Sequence, residues 1–333
     1  MNPYITYTLV TLILVAAELL YFRIADRLNI IDKPDQRSSH THITLRGGGI
    51  VFVLAAWLWV AFFGLQYPWF MAGLTVVAAV SFLDDVRSVS NEIRLVAQFM
   101  AVFLMILEPG LLPGPYWWMP VAAVVCVGIL NAFNFMDGIN GITGGYALAV
   151  LLPLLTVNLL PERFGLPAGG FIEPHLLPVI LVSVLIFCFF NFRKKARCFA
   201  GDVGAISIAF ILTFALARLV RQTGDLSWLM LLAVYGVDSG LTIVHRIQLR
   251  EHLGQAHRKH AYQLMANELK IPHIVVSAIY AVLQLFISAG LLFLPVNHYL
   301  YAGVVLVLLV AAYMLFMKKY YPLHAAYLRS LKP

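Results

Sequence analysis

The chain has 333 residues, 61% of them hydrophobic and only 12% charged, with a mean hydropathy of +0.85 and a formal net charge of +7. A soluble domain carries about 25% charged residues, so this composition excludes a water-soluble globular protein. The 22 Phe, 15 Tyr and 6 Trp exclude a disordered chain. We therefore expect an all-α, polytopic membrane protein.

A helix that crosses the hydrocarbon core of a membrane needs about 20 apolar residues. The apolar segments between polar breaks predict about eleven such spans, over residues 3–22, 47–66, 68–83, 93–111, 116–133, 141–160, 175–190, 203–220, 226–246, 273–295 and 299–317. No basic residue precedes the first span, and Arg23 and Arg27 follow it. This pattern indicates a membrane anchor with its N-terminus outside, not a cleaved signal peptide.

Eleven spans from that start place the C-terminal tail, from Lys318 onward, in the cytoplasm. All of the 23 lysine and arginine residues except Arg163, Arg218 and Arg221 then lie in cytoplasmic segments or at the span ends beside them. This distribution agrees with the excess of basic residues found in cytoplasmic loops of membrane proteins. No internal repeat and no soluble domain are visible, so residues 1–333 are expected to form a single transmembrane domain.

Several polar residues that are unusual in membrane spans fall at the cytoplasmic face under this topology. Asp84 and Asp85 end the third span, Asn191 ends the seventh, and Gly201-Asp202-Val203-Gly204 opens the eighth. Each has a simpler explanation in isolation. The paired aspartates could cap a helix end at the membrane interface, and Asp202 could be an ordinary helix N-cap.

A second polar group closes the fifth span. Its members are spaced three residues apart: Asn131, Asn134, Asp137 and Asn140. On a helix, this spacing places the side chains along one face. Hydrogen bonds between helices would explain two of them. Four such groups indicate the wall of a ligand site, because an unpaired polar group at membrane depth costs several kcal/mol.

The segment His257-Arg258-Lys259-His260 lies in the loop after the ninth span, where it is either topogenic charge or part of the same site. The sixth and eighth spans both begin at this face, so their N-termini aim backbone N–H groups toward it. Carboxylates suit Mg²⁺ held by one or two protein oxygens together with substrate phosphates. The residues present therefore predict a site for a diphosphate carrying Mg²⁺.

The order of these motifs resembles that in the polyprenyl-phosphate N-acetylhexosamine-1-phosphate transferase superfamily (glycosyl transferase family 4). The motifs are the aspartate pair, the segment Asn131–Gly141, the Gly-Asp-Val-Gly motif and the histidine loop. The resemblance covers nearly the whole chain and includes the first cytoplasmic loop, from Arg37-Ser-Ser-His40 to Arg46-Gly-Gly-Gly49. The His-Arg-Lys-His-Ala-Tyr-Gln form of the last loop is most similar to the bacterial O-antigen-initiating branch, which uses UDP-linked 6-deoxy-N-acetylhexosamines.

The resemblance implies transfer of an N-acetylhexosamine 1-phosphate, 6-deoxy sugars included, from a UDP-sugar to undecaprenyl phosphate. The products would be UMP and an undecaprenyl-diphosphate-sugar that initiates O-antigen or a related polysaccharide. The expected location is the cytoplasmic face of a bacterial inner membrane. Mg²⁺ is the expected cofactor, with Mn²⁺ as a substitute. The resemblance allows a homodimer, and nucleic acid is not an expected partner.

The resemblance also implies roles for individual residues. The expected metal ligands are Asp202 and Asn134. The expected catalytic residues are Asp84, Asp85, His257, Arg258 and His260. The expected substrate-binding residues are Arg46, Asn131, Asp137, Asn140 and Asn191. The second pKa of a phosphate monoester is near 6. The acceptor is therefore largely ionised at neutral pH, which favours a positioning role for the aspartates over covalent catalysis.

Two other function classes stay open on the sequence. An ion-coupled transporter would use Glu18, Asp84 and Asp238 as coupling carboxylates, but transporters place their sites near mid-membrane between internal repeats. Another kind of intramembrane transferase would bind metal through aspartates about a helical turn apart, whereas Asp84 and Asp85 are adjacent.

Overall fold

The computed structural model of the chain describes residues 3–34, 39, 42–111, 116–252, 254 and 257–330, so Arg37 and His40 of the early-loop motif lie outside the described residues. Within these ranges the helices are α1 (Pro3–Arg27), α2 (Ile50–Phe63), α3 (Pro68–Val86), α4 (Asn91–Ile106), α5 (Trp118–Met136), α6 (Ile142–Leu159), α7 (Leu176–Asn191), α8 (Gly201–Thr223), α9 (Ala233–Gln248), α10 (Ala261–Asn267), α11 (His273–Phe293) and α12 (His298–Ser330). Two 3₁₀ helices (Pro161–Phe164 and Leu226–Leu232) and one antiparallel pair, β1 (Ile31–Asp32) and β2 (Thr44–Leu45), complete the described elements.

Helices of the structure coincide with all eleven predicted spans, which confirms the all-α class. Within the described ranges, eight helical segments are long and apolar enough to cross a membrane. Two further helices, α2 and α7, are apolar but have only 14 and 16 residues. The chain is therefore a multi-pass membrane protein. The number of spans and the orientation of the chain stay predictions.

The centre of the helical bundle is α8. Every residue from Gly201 to Leu216 is buried, and the helix packs against α2, α3, α5 and α6. A helix that is apolar on all sides is stable only when other elements cover all of its faces. Because the burial includes the first turn, α8 begins inside the protein and not at its surface.

The loop between α1 and α2 is held against the start of α8 by backbone hydrogen bonds. The N–H of Phe199 donates to the carbonyl oxygen of Leu45 (2.8 Å), and the N–H of Gly48 donates to the carbonyl oxygen of Phe199 (2.9 Å). Pairing of this kind satisfies both segments and fixes their register. Arg46 lies between these two contacts and is thereby placed beside α8.

The ninth predicted span, 226–246, is continuous but consists of two helices of different kinds. Residues Leu226–Leu232 form a 3₁₀ helix, and α9 begins directly after it. Gln284 of α11 bonds to both sides of this junction: its amide donates to the carbonyl oxygen of Met230 (2.9 Å), and its oxygen accepts from the N–H of Val234 (3.1 Å). Backbone groups at membrane depth need such partners because no water reaches them.

The last helix is longer than its predicted span. Residues 299–317 lie within α12, but the helix continues through the segment predicted as a cytoplasmic tail, as far as Ser330. Tyr321 of this extension packs against the cluster that includes Ala261 and Leu264 of α10, and His324 bonds to Glu268 just after α10. Tertiary packing therefore stabilises a helix where hydropathy alone predicts the span to end.

Candidate active site

Asp85 of α3 holds the first turn of α8. Its Oδ1 accepts from the N–H of Asp202 and its Oδ2 accepts from the N–H of Val203, both at 2.9 Å. A carboxylate at a helix N-terminus satisfies unpaired N–H groups and interacts favourably with the helix dipole. The expectation that these N–H groups of α8 are available to a phosphate is therefore wrong, because Asp85 already occupies them.

Gly201 allows this arrangement. Its φ is +70°, a left-handed conformation that glycine adopts without strain. A Cβ atom at this position would lie 2.5 Å from Oδ2 of Asp85 and 2.7 Å from the backbone nitrogen of Gly47. The glycine before Asp202 therefore has a steric reason, because α3 and the loop between α1 and α2 both approach the backbone there.

Two arginines neutralise the carboxylates around Asp202. Arg46 contacts Oδ1 of Asp202 through Nη2 (3.1 Å) and Oδ1 of Asp85 through Nε (2.6 Å). Arg94 contacts Oδ2 of Asp202 through Nη2 (2.5 Å) and Oδ2 of Asp84 through Nη1 (3.0 Å). Burial lowers the pKa of Arg46, but the charges of Asp85 and Asp202 outweigh it and raise that pKa above its usual value.

Arg94 lines the site although no motif in the sequence predicts it. It is the fourth residue of α4, and α4 begins with Ser90 as its N-cap. A basic residue in the first turn of a helix is disfavoured by the helix dipole, so it requires another reason for its position. An arginine in the first turn of α4 therefore indicates a special role, although neither composition nor motif spacing points to it.

The polar residues in and just after α5 have different surroundings: some bond to a neighbouring helix, and others lie near Asp202. Asn131 donates through Nδ2 to Oε1 of Gln98 on α4 (2.6 Å), which is an interhelical hydrogen bond. Asn134 lines the same two cavities as Asp202, and its role as a metal ligand stays a prediction. Asp137, just after the helix, accepts from the hydroxyl of Thr143 (2.6 Å). Burial raises the pKa of Asp137 to about 7.

Asn140 and Asn191 hold the loops that surround the site. Nδ2 of Asn140 donates to the carbonyl oxygen of Arg193 (2.9 Å). Asn191 accepts from the N–H of Gly141 and donates to the carbonyl oxygen of Cys198, both at 2.8 Å. Asn191 is buried and both ends of its amide bond within the protein. The substrate-binding role of these two residues stays a prediction, whereas their structural role is directly visible.

Two histidines of the loop after α9 line the same cavity as Asp202. His257 and His260 lie with their ring centroids 5.0 Å apart, and both line the same cavity as Asp202. Burial, followed by the nearby charges of His260 and Arg246, lowers the pKa of His257 to about 3. His257 is therefore a neutral imidazole at physiological pH, and a catalytic role for it would not include a positive charge.

Arg258 lies in a different cluster. Its Nη2 donates to Oε1 of Glu268 (3.1 Å), and its guanidinium carbon lies 4.8 Å from the ring centre of Tyr327. His324 of α12 bonds to the same carboxylate oxygen of Glu268 (2.7 Å). Arg258 is thus bound to Glu268, which follows the last residue of α10, and to the extension of α12. Its catalytic role stays a prediction.

These side chains surround connected cavities. A cavity of about 420 Å³ is lined by Arg46, Arg94, Gln98, Asn131, Asn134, Asp202, His257 and His260. It shares Arg46, Asn134 and Asp202 with a second cavity of about 210 Å³ that includes Asp137, Asn140 and Gln263. A third, of about 550 Å³, shares Asn140 and Phe199 with the second and adds His42, Lys194, Lys195 and His273. Asp84 and Asp85 do not line these three cavities. They bind the arginines that do: Asp84 contacts Arg94, and Asp85 contacts Arg46.

Comparison with known proteins gives consistent matches. The family profile described as glycosyl transferase family 4 matches residues 67–220. The probable undecaprenyl-phosphate N-acetylglucosaminyl 1-phosphate transferase of Bacillus subtilis is 26% identical over 73% of this chain and 72% of its own length. The phospho-N-acetylmuramoyl-pentapeptide-transferase of Thermotoga maritima is 30% identical over 50% of this chain and 57% of its own. The decaprenyl-phosphate N-acetylglucosaminephosphotransferase of Mycobacterium leprae is 26% identical over 61% and 59%, so the chain spans little more than half of these last two relatives.

Proposed function

This chain belongs to the superfamily of polyprenyl-phosphate sugar-1-phosphate transferases, and on that basis we propose that it transfers an N-acetylhexosamine 1-phosphate from a UDP-sugar to undecaprenyl phosphate, releasing UMP. We further propose that it works at the cytoplasmic face of a bacterial inner membrane. The lipid-linked product would initiate an O-antigen or a related polysaccharide. The form of the histidine loop favours 6-deoxy-N-acetylhexosamines among the donors.

The observation that carries the proposal is the arrangement around Asp202. Asp202 is joined by Arg46 and Arg94 and lies opposite His260, in a cavity enclosed by five separate parts of the chain. Planar guanidinium groups bind phosphate oxygens as well as carboxylates. The same two arginines can therefore contact a diphosphate while staying next to the carboxylates that orient them.

The donor atoms near Asp202 fit Mg²⁺. Arg94 bridges Asp84 and Asp202, and Asn134, which lines the same cavity as Asp202, adds an amide oxygen. Such hard oxygen ligands suit Mg²⁺, which is usually bound through one or two carboxylates plus substrate phosphates. Among the described residues, no group of three or more His, Cys, Asp or Glu side chains forms a closed metal cage. We propose that Asp202 and Asn134 hold the ion, which would neutralise charge on the diphosphate.

The reaction that fits these residues is direct displacement. The acceptor phosphate oxygen attacks the phosphorus bonded to the sugar, and UMP leaves with the bridging oxygen. Arg46 and Arg94 would stabilise charge that develops on the phosphoryl oxygens, because fixed donors need no reorganisation during the reaction. Asp85 acts behind them by holding Arg46 and the first turn of α8.

The connected cavities offer room for the nucleotide. The third cavity brings Lys194 and Lys195 close to Phe199, so cationic groups and an aromatic ring border one space. Lysine side chains attract the phosphates of a nucleotide, and an aromatic ring can stack on its base. We propose that the uridine part of the donor extends from Asp202 through the second cavity toward Phe199.

The experiment that tests the function is an assay of UMP release. Purified protein is incubated with undecaprenyl phosphate, Mg²⁺ and a panel of UDP-N-acetylhexosamines. The Asp202→Asn variant should lose turnover, whereas Asp225→Asn should keep it. Asp225 is a matched control because it also begins a helix, accepting from the N–H of Ser227 at 2.8 Å, but it lies 23 residues further along, at the opposite end of α8. Wild-type turnover by Asp202→Asn would contradict the proposed site.

A further inference from the structure

Asp238 is a buried carboxylate inside α9 that the mechanism above does not use. Only 3% of the residue is exposed. Five donor groups surround it. They are the hydroxyls of Tyr280 (2.6 Å) and Thr242 (3.3 Å), the backbone N–H groups of Ala261 (3.0 Å) and Tyr262 (3.4 Å), and Nδ1 of His260 (3.3 Å). A buried charge is tolerated only when it is paired and hydrogen-bonded in this way.

The contact with His260 defines which ring nitrogen carries a proton. An ionised carboxylate can only accept hydrogen bonds, so Nδ1 of His260 must be the donor. The opposite nitrogen, Nε2, is buried and has no hydrogen-bond partner among the described residues. His260 lines the cavity that contains Asp202. A histidine fixed through one nitrogen offers its other nitrogen to a ligand in a defined orientation.

The surroundings of His260 leave its ring little freedom. The ring of Phe135 lies 6.5 Å away and the ring of Tyr262 lies 5.7 Å away, measured between centroids. Tyr262 is itself held, because its hydroxyl donates to the carbonyl oxygen of Phe135 (2.9 Å). The backbone N–H of His260 donates to Oε1 of Gln263 (3.2 Å). Among the described residues, Asp238 is thus the carboxylate that forms an ion pair with this ring.

We propose that Asp238 is a positioning residue for the transfer reaction, which fixes the Nδ1–H form of His260 so that Nε2 faces the reacting phosphates. The inference rests on the proposed function. His260 would accept the proton of a monoanionic acceptor phosphate at Nε2, or donate a hydrogen bond to a phosphoryl oxygen from Nε2 when the ring is charged. Asp238 would remain ionised throughout, as the partner that stabilises the charged ring.

A double-mutant cycle tests this role. Asp238→Asn should lower kcat by about 10²–10⁴-fold, the range for a positioned acid–base group, with little change in the KM for the UDP-sugar. In a His260→Gln background, the same substitution should have almost no further effect, because residues that act as a unit are not additive. Asp238→Glu should recover part of the rate. Thr242→Val removes another partner of Asp238 and should keep the wild-type kcat.

Equal losses from Asp238→Asn in both backgrounds, or a wild-type kcat in Asp238→Asn alone, would overturn the proposal. A second measurement does not depend on turnover. In protein labelled with ¹⁵N-histidine, the signal that disappears in His260→Gln should report a protonated Nδ1. It should change in Asp238→Asn and not in Thr242→Val. If no UDP-sugar yields UMP with the wild type, the proposed function fails, and this measurement still decides the pairing: an unprotonated Nδ1 would refute it.

Discussion

Glu108 and Asp85 lie at opposite ends of α3, and each accepts hydrogen bonds from two consecutive backbone N–H groups that begin a helix. Oε2 of Glu108 accepts from Trp69 (2.9 Å) and Phe70 (3.0 Å) in the first turn of α3. Asp85, near the last residue of α3, does the same for the first turn of α8. The start of α3 is therefore held by the carboxylate of Glu108. The end of α3 supplies the carboxylate of Asp85, which holds the start of α8.

This pair gives a matched test of structure against catalysis. Glu108→Gln should lower the free energy of unfolding by about 1 kcal/mol, because a neutral amide interacts more weakly with the N-terminus of a helix. Its activity per folded molecule should be unchanged. Asp85→Asn should show a similar loss of stability and also lose most activity, because Asp85 orients Arg46 beside Asp202. Melting curves and UMP release measured on the same preparations separate the two effects. Equal activity of both variants would contradict the assignment.

Arg94 is expected to be required for turnover. Arg94→Gln should lower kcat by about 10²–10³-fold, the usual cost of removing one group that stabilises developing charge. Arg94→Lys should recover little, since an ammonium group cannot contact Asp84 and Asp202 with a planar fork. Arg87, exposed at the C-terminal end of α3, supplies the control. Arg87→Gln should leave kcat unchanged, and a comparable loss there would point to general charge rather than to this contact.

Gly201 should not tolerate a side chain. Gly201→Ala forces a left-handed backbone conformation on alanine, at a cost of about 1–2 kcal/mol, and brings its Cβ against Asp85 and Gly47. We expect lower thermal stability together with loss of UMP release. Gly128 in α5 has open space at the position of a Cβ. Gly128→Ala should therefore behave as wild type, and an active, stable Gly201→Ala protein would show that this close approach is not required.

Asp137 should make the stability of the protein depend on pH. Its pKa is raised to about 7 in the folded protein, from about 3.8. Its contribution to stability is thus fully present below pH 3.8 and is lost as the pH rises through 7. Between pH 4 and 7, without added divalent cations, the melting temperature of Asp137→Asn should fall less steeply than that of the wild type. Parallel curves for the two proteins would contradict the raised pKa.

Neither aspartate of the pair offers a free oxygen as a nucleophile. Asp84 accepts from the N–H of Val89 (2.7 Å) through Oδ1 and contacts Arg94 through Oδ2. Both oxygens of Asp85 bond to the start of α8. We therefore expect that enzyme and UDP-sugar, without lipid acceptor, will not exchange labelled UMP into the donor. Acceptor-independent exchange in the wild type, abolished in Asp84→Asn or Asp85→Asn, would establish a covalent intermediate and identify its residue.

The sequence predicts the all-α membrane fold, and it predicts that residues from distant motifs lie near one another, for a simple physical reason. Hydropathy reports how deeply each segment lies in the membrane, and motifs at the span ends consequently meet at one face. Asp202, Asn134 and His260 are brought together in this way. The partner to which each side chain of the site bonds is harder to predict. The bond from Arg258 to Glu268, ten residues later, is one contact that the loop sequence does not predict.

The contacts that were not predicted are those between distant segments. The N–H groups of α8 are taken by Asp85, which is 117 residues earlier in the sequence than Asp202. The junction before α9 depends on Gln284, which is 50 residues later than Val234. Spacing in a single sequence does not encode such pairs. Arg94 is different, because its unfavourable place in the first turn of α4 is a local signal that can be recognised.

The extension of α12 has a consequence for the order in which the protein is made. His324 binds Glu268, and Glu268 in turn binds Arg258, so contacts that hold the histidine loop come from a helix that follows it in the sequence. A nascent chain that has not yet completed α12 would already contain Asp202 and both arginines, but not this support. The enzyme would therefore acquire its final loop geometry only after the ribosome has synthesised the last helix and that helix has entered the membrane.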